Sequence, residues 1–347
     1  MLVDSVPEQR AETAPAPPTR RAIRFAGLLL SVAVLLLVAM ASIAIGAKEL
    51  SLAQVWHGLF ESTGTYADVV VDERQSRTAL GLLAGAALGL SGTVLQALTR
   101  NPLADPGLLG INAGASAAVV TAITYFGVTS LSGYVWFAFL GAAAVGALVW
   151  FLGGSRGATP VRLALAGTAI SAALFGYVQA VMIMDKAALA RMRFWTVGSL
   201  SAATEDMIWQ VAPFLAVGTL LSLALARPLN AVAMGDDTAK ALGAHLGRTR
   251  ALSMLAATVL CGAATAACGP IVFVGLMVPH VVRSFTGPDL RWIMPYAAIL
   301  SPVLLLGSDV IGRVVARPSE VQVGIITAII GGPVFIFLVR RRRTAQL

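Results

Sequence analysis

An all-α, polytopic membrane protein of about ten spanning helices is the fold class this sequence predicts, and three observations carry it. Of its 347 residues 57% are hydrophobic and only 12% charged, where an ordinary soluble domain carries about a quarter charged residues. Apolar runs long enough to cross the hydrocarbon core recur along the chain with few charges inside them. The charges that remain are distributed unevenly between the two sides those runs define. Ten spans follow, at 25–46, 78–98, 111–127, 134–153, 161–184, 206–226, 251–268, 271–285, 292–312 and 322–339, the eighth being the shortest.

Taken in order, residues 1–24 are polar, contain Pro15, Pro17 and Pro18, and read as a disordered cytoplasmic tail. The first run is longer than the apolar core of a signal peptide and is expected to stay as an uncleaved helix. The second span carries Gly81, Gly85 and Gly89 at small-residue spacing, which lets neighbouring helices approach closely in lipid. It ends in RNPLADPGLLG (100–110), where Pro102 and Pro106 each push the preceding residue out of helix. Two halves of five spans would be related as inverted repeats. The domain plan is therefore a tail (1–24), one transmembrane domain (25–340) and a basic cytoplasmic C-terminal tail (341–347).

The net charge of +8 is mostly topology. With the N-terminus in the cytoplasm, 17 of the 25 Lys and Arg residues face inward, among them Arg20 to Arg24, Arg227, Arg291 and Arg340 to Arg343. Lys48, Arg74, Arg77, Lys186, Arg191, Arg193, Arg313 and Arg317 face outward. This is the positive-inside bias of a multi-pass protein with both termini cytoplasmic, and it excludes nucleic acid as the reason for the charge. Cys261 and Cys268 lie inside one span without the His or Cys partners a metal site needs. His280 after Pro279 reads as an interior or interfacial group, and no metal is expected. Ionisable residues are scarce within the spans, which argues against a carrier driven by protons or sodium. No G-x-x-x-x-G-K-[ST] loop is present to hold ATP phosphates. Driving energy must then come from a separate protein.

Seven segments in order, RNPLADPGLLG (100–110), FWTVGSL (194–200), GDDTAKALG (235–243), GPIVFVGLMVPHVVR (269–283), GPDLR (287–291), SDVIGR (308–313) and VGIITAIIGGPVF (323–335), each fall at a predicted span or its boundary. On them the chain after about residue 50 resembles the FecCD/BtuC-like permeases of iron–siderophore, haem and vitamin B12 ABC importers. The resemblance implies a type II importer fold with ten spans per subunit. It also implies two permease subunits, identical or related, two ABC ATPases that bind ATP and Mg, and an extracytoplasmic substrate-binding protein. This chain would bind no cofactor itself.

It further implies roles for particular residues. Gly235, Asp236, Asp237, Thr238, Ala239, Lys240, Ala241, Leu242 and Gly243 would form the coupling helix that receives ATPase motion. Independently, Gly235 breaks the chain, Asp236 can cap a new helix and Gly243 can stop it. Arg74, Arg77 and Arg313 would receive carboxylates from the binding protein, a task that suits guanidinium forks. The family commonly has Leu-Pro between the first two arginines, where this chain has Gln75-Ser76. Ala158, Thr159, Pro160 and Val161 would belong to an inner gate, and Gln96, Gln179, Met182 and Met184 are candidate pathway-lining residues.

The expected function is inward translocation of a ferric siderophore across a bacterial inner membrane, without bond chemistry on this chain. Haem or a corrinoid is the alternative cargo. A secondary transporter is the rival of another class, opposed by the missing intramembrane charges and the GDDTAKALG segment. A membrane-embedded enzyme would need a clustered nucleophile and base, which the sequence lacks.

Overall fold

In the computed structural model, residues 20–61, 64–154, 160–241, 243 and 245–344 are described, and their regular elements are helices throughout. The order is α1 (Arg20–Ala44), α2 (Leu52–Phe60), α3 (Tyr66–Thr99), a 3-10 turn (Pro106–Leu109), α4 (Ile111–Phe126), α5 (Leu131–Gly154) and α6 (Pro160–Met184). There follow α7 (Lys186–Trp195), α8 (Glu205–Ala224), α9 (Ala226–Ala233), α10 (Asp236–Ala241), α11 (Leu246–Cys268), α12 (Val274–Thr286), α13 (Leu290–Val315) and α14 (Val323–Thr344). Each of the ten predicted spans corresponds to one of these helices. Seven are long and apolar enough to cross a membrane by themselves, and α4 and part of α14 are shorter apolar helices. The first helix begins at Arg20, so the predicted tail boundary falls inside α1, and residues 1–19 lie outside the described residues. At the other end α14 continues to Thr344, into the segment read as a basic tail.

The long helix α3 is the centre of the bundle. Its 34 residues make a rod of about 50 Å, well beyond the hydrocarbon core. It begins with a capping box in which Thr65 and Asp68 satisfy each other's backbone N–H groups. It packs against α13, α11, α12 and α8. The glycine stripe allows α3 and α13 to approach closely: a Cβ on Gly85 would stand 2.6 Å from Cα of Pro302, and Gly81 faces Leu306. That is the small-residue packing the sequence predicts.

The eighth span is only partly helical. Residues 269–273 run as irregular chain, with positive φ at Gly269 and at Phe273, before α12 begins. Irregular backbone at this depth is tolerated where protein covers it, and here the Ser199 N–H donates to the Cys268 carbonyl at 2.7 Å. Pro279 inside α12 leaves the carbonyl of Gly275 without its helical N–H. Gln96 supplies the replacement: its Nε2 donates to the carbonyls of Gly275 (3.3 Å) and Leu276 (3.0 Å).

Three helices add what span-length patterns omit. Helix α2 follows a Ser51/Gln54 capping box, α7 follows an Asp185 cap, and α9 leads from α8 toward α10. All three lie in the connections between spans.

Candidate functional site

Two charged arrangements sit at opposite ends of α3. At the end predicted to face outward, Arg77 and Arg313 converge on one carboxylate. Arg77 donates from Nε to both oxygens of Asp309 at 3.1 and 3.0 Å, and from Nη2 to Oδ1 at 2.7 Å. Arg313, one helical turn beyond Asp309 on α13, pairs with its other oxygen at 3.0 Å. Arg313 also donates to the carbonyl and hydroxyl of Ser42 at the end of α1, and Ser42 hydrogen-bonds Thr78 at 2.8 Å. Asp309 and Arg313 are each 1% exposed. The arginines are thus interior groups, not side chains snorkelling to a surface, and such burial requires this pairing.

Arg74 shares the Arg77 face one turn earlier on α3, and its partners are carbonyls. Nη1 donates to Ile43 and Ala44, and Nη2 to Lys48 at 2.6 Å, fastening the end of α1 and the segment after it to α3. The helix runs unbroken through Gln75-Ser76, so the missing Leu-Pro leaves a continuous rod where a proline, well inside the helix, would interrupt it. A cavity of about 480 Å³ opens over this cluster, lined by Arg74, Arg77, Arg313, Lys48 and Glu320 among others. Glu320, in the loop before α14, accepts from Arg77 Nη1 at 2.7 Å. Its side chain is 32% exposed against 1% for Asp309. One carboxylate therefore belongs to the interior and the other to the cavity. Arg317 reaches Glu49 and the Gly46 carbonyl at the same rim.

At the opposite end, α10 realises the predicted short helix. Gly235 turns the chain with φ 114°, a value that favours glycine. Asp236 opens the helix and is held by Arg100 and by Arg250, the latter at 2.7 Å. Ala239 is fully buried, seating the helix on the bundle. Burial alone would raise the Asp236 carboxyl, but its hydrogen bonds with Arg250 and Arg100 outweigh that and hold it below the usual carboxylate range. Arg100 is itself the left-handed cap of α3 and donates from Nε to the Val232 carbonyl at the end of α9. The buried rod, α9 and α10 therefore meet at one guanidinium. Gly243 has positive φ as expected of a helix stop, and Leu242 lies outside the described residues. Beside α10 a groove of about 620 Å³ runs past Arg227, Gly243, His245, Arg248 and Leu252.

The remaining candidates separate. Gln96 is 1% exposed and committed to α12, so it braces a proline-broken helix and does not line open space. Gln179 and Met184 are exposed on α6, and Met182 is half-buried. Val161 is exposed at the start of α6, Pro160 begins that helix, and Ala158 and Thr159 lie outside the described residues. Among the described residues no group of three or more His, Cys, Asp or Glu is placed to hold a metal ion. Sequence reasoning missed Arg100, Arg250, Asp309 and Glu320. The Asp309–Arg313 spacing within SDVIGR was the available signal for one of them, since residues four apart share a helix face.

The fold matches a solved chain described as an inward-facing conformation of a metal-chelate type ABC transporter. The TM-score is 0.79 at 28% identity, over 92% of this chain and 99% of that one. A chain of PsaBC from Streptococcus pneumoniae shares the fold at a TM-score of 0.58 and 15% identity, over 82% of this chain and 95% of that one. The class is that of an ABC transporter permease, a multi-pass helical subunit that is not catalytic. Residues 34–341 match the FecCD transport family, and this chain belongs to it. It is 46% identical over 93% of its length, and 96% of the relative's, to the ferric enterobactin transport system permease protein FepD of Escherichia coli. It is 37% identical to the probable siderophore transport permease YfiZ of Bacillus subtilis (89% and 93% covered). The hemin transport permease HmuU of Yersinia pestis is 35% identical (89% and 93% covered).

Proposed function

We propose that this chain translocates a ferric siderophore inward as the membrane-spanning subunit of an ABC importer. The observation that carries the cargo is the 46% identity, over nearly the full length of both chains, to a permease named for ferric enterobactin. The hemin permease stands at 35%, which ranks haem second. The protein lies in a bacterial inner membrane with both termini cytoplasmic, in agreement with the positive-inside bias.

In this reading a second permease subunit, identical or related, completes a central path, and exposed Gln179 and Met184 with half-buried Met182 on α6 are its wall. Residues Ala158 to Val161 stand at its inner gate. A binding protein docks over the arginine cavity, where the division between carboxylates supports a sequence of events. Asp309 keeps Arg77 and Arg313 folded, while half-exposed Glu320 occupies the outer prong of Arg77. An incoming carboxylate can replace Glu320 without stripping the buried arginines of their counter-charge. At the inner end α10 seats against an ABC ATPase, which holds the ATP and Mg; this chain needs no cofactor.

Uptake by vesicles containing this permease, its ATPase and its binding protein tests the proposal. ATP-dependent accumulation of ferric enterobactin or another ferric siderophore is expected, with none for hemin or cobalamin. Uptake of hemin alone would replace the cargo, and uptake without ATP would sink the importer reading.

A further inference from the structure

Where α1 meets the start of α13 the structure forms a basic recess of about 550 Å³ bounded by Arg21, Arg24, Leu28, Asp289, Arg291 and Trp292. The carboxylate here is already engaged. Asp289 accepts from the backbone and side chain of Arg291 and from Asn230 Nδ2 at 2.7 Å. Arg291 holds it far down, at about 2, so it remains charged and satisfied at any physiological pH. Arg21 and Arg24 have no carboxylate partner among the described residues. Arg24 is instead set in place, its guanidinium 5.8 Å from the Trp292 ring centroid and its carbonyl accepting from Tyr296 Oη at 2.6 Å.

A second recess of about 450 Å³ shares Arg291 and Pro295 with the first and adds Arg227, Leu223 and Met294. The two recesses thus flank Arg291, each with further arginine at its rim and apolar side chains below it. On the lipid side, α1 continues with exposed Phe25 and Leu29. Paired cationic seats over an apolar, membrane-facing wall match a head group with two phosphates and attached acyl chains, not a soluble anion or a peptide.

We propose that this double recess binds an anionic phospholipid of the inner leaflet, of the two-phosphate cardiolipin class, with one phosphate at Arg21 and Arg24 and the other at Arg227 and Arg291. The lipid would tie the N-terminal helix to the foot of α13, where α1 otherwise meets the bundle along one side.

The test is native mass spectrometry of the permease released from nanodiscs containing cardiolipin, phosphatidylglycerol or phosphatidylcholine. Cardiolipin is expected to be retained in preference to the other two. R21Q/R24Q should lower retention about tenfold or more, R21K/R24K should restore it, and R162Q, on the same side but away from the recess, should leave it unchanged. Helix content by circular dichroism separates lost binding from lost folding, since a folded R21Q/R24Q that still retains cardiolipin overturns the proposal. Equal retention of phosphatidylglycerol would overturn the two-seat assignment. Displacement of cardiolipin by millimolar inorganic phosphate would show a free-anion site instead.

Discussion

The two ends of α3 solve the same problem of placing arginines in different ways. At the end predicted to face outward, Arg77 and Arg313 are largely buried around Asp309, which is itself 1% exposed. At the opposite end Arg100 and Arg250 hold Asp236, whose side chain is 38% exposed, with Arg100 equally so. The first arrangement is one the fold depends on, because Asp309 and Arg313 are almost wholly buried and only their mutual pairing and hydrogen bonds offset that burial. The second can open at little cost, since water replaces what each partner loses. Helix α3 joins the buried anchor and the more exposed contact as one continuous rod.

The contrast can be broken most forcefully at the anchor. Asp309→Ala leaves two buried guanidinium groups facing each other and should destabilise the protein by about 3–5 kcal/mol. Loss of folded protein on detergent extraction would report it, and wild-type thermal stability would refute the anchor. Gln96→Leu leaves the Gly275 carbonyl without its donor and should cost about 1–3 kcal/mol, read as a lowered melting temperature with α12 the first segment to exchange hydrogen. Glu320→Ala should cost about 1 kcal/mol or less, and by freeing Arg77 Nη1 it should strengthen binding-protein docking in a surface-resonance measurement. Weaker docking would mean that Glu320 is part of the receptor site and not its placeholder. Asp236→Ala should change stability least, by below about 1 kcal/mol.

How legible this was in the sequence follows the same divide. Span-length apolar runs located ten of the helices, seven of them long and apolar enough to cross a membrane, because lipid admits little else. The glycine spacing in α3 announced its close packing, and Gly235 and Gly243 announced the ends of α10 through local backbone chemistry, while the Asp236 carboxylate, expected as a cap, is engaged by Arg100 and Arg250 instead. The stretch DERQSR (72–77) was harder. Its charges read as the outside of a membrane, yet α3 starts at Tyr66 and buries Arg74 and Arg77, because their partners come from α1, α13 and the loop before α14. Those partners lie roughly 30 to 240 residues away, and no local pattern carries such pairings. Gln96 was misread for a related reason. A polar residue in a span fits a pathway or a brace equally well until the proline it serves is known to be its neighbour. Helices α2, α7 and α9 escaped notice because 8 to 10 residues are too few for a span and their caps resemble those of any turn.

The most direct test of the account compares receptor-stimulated ATP hydrolysis and ferric siderophore uptake, side by side, in vesicles carrying Asp236→Ala. The account predicts a folded permease that still docks its loaded binding protein while uptake per ATP hydrolysed falls several-fold. Uptake and hydrolysis both at wild-type levels would contradict it, because the clasp between α3 and α10 would then transmit nothing.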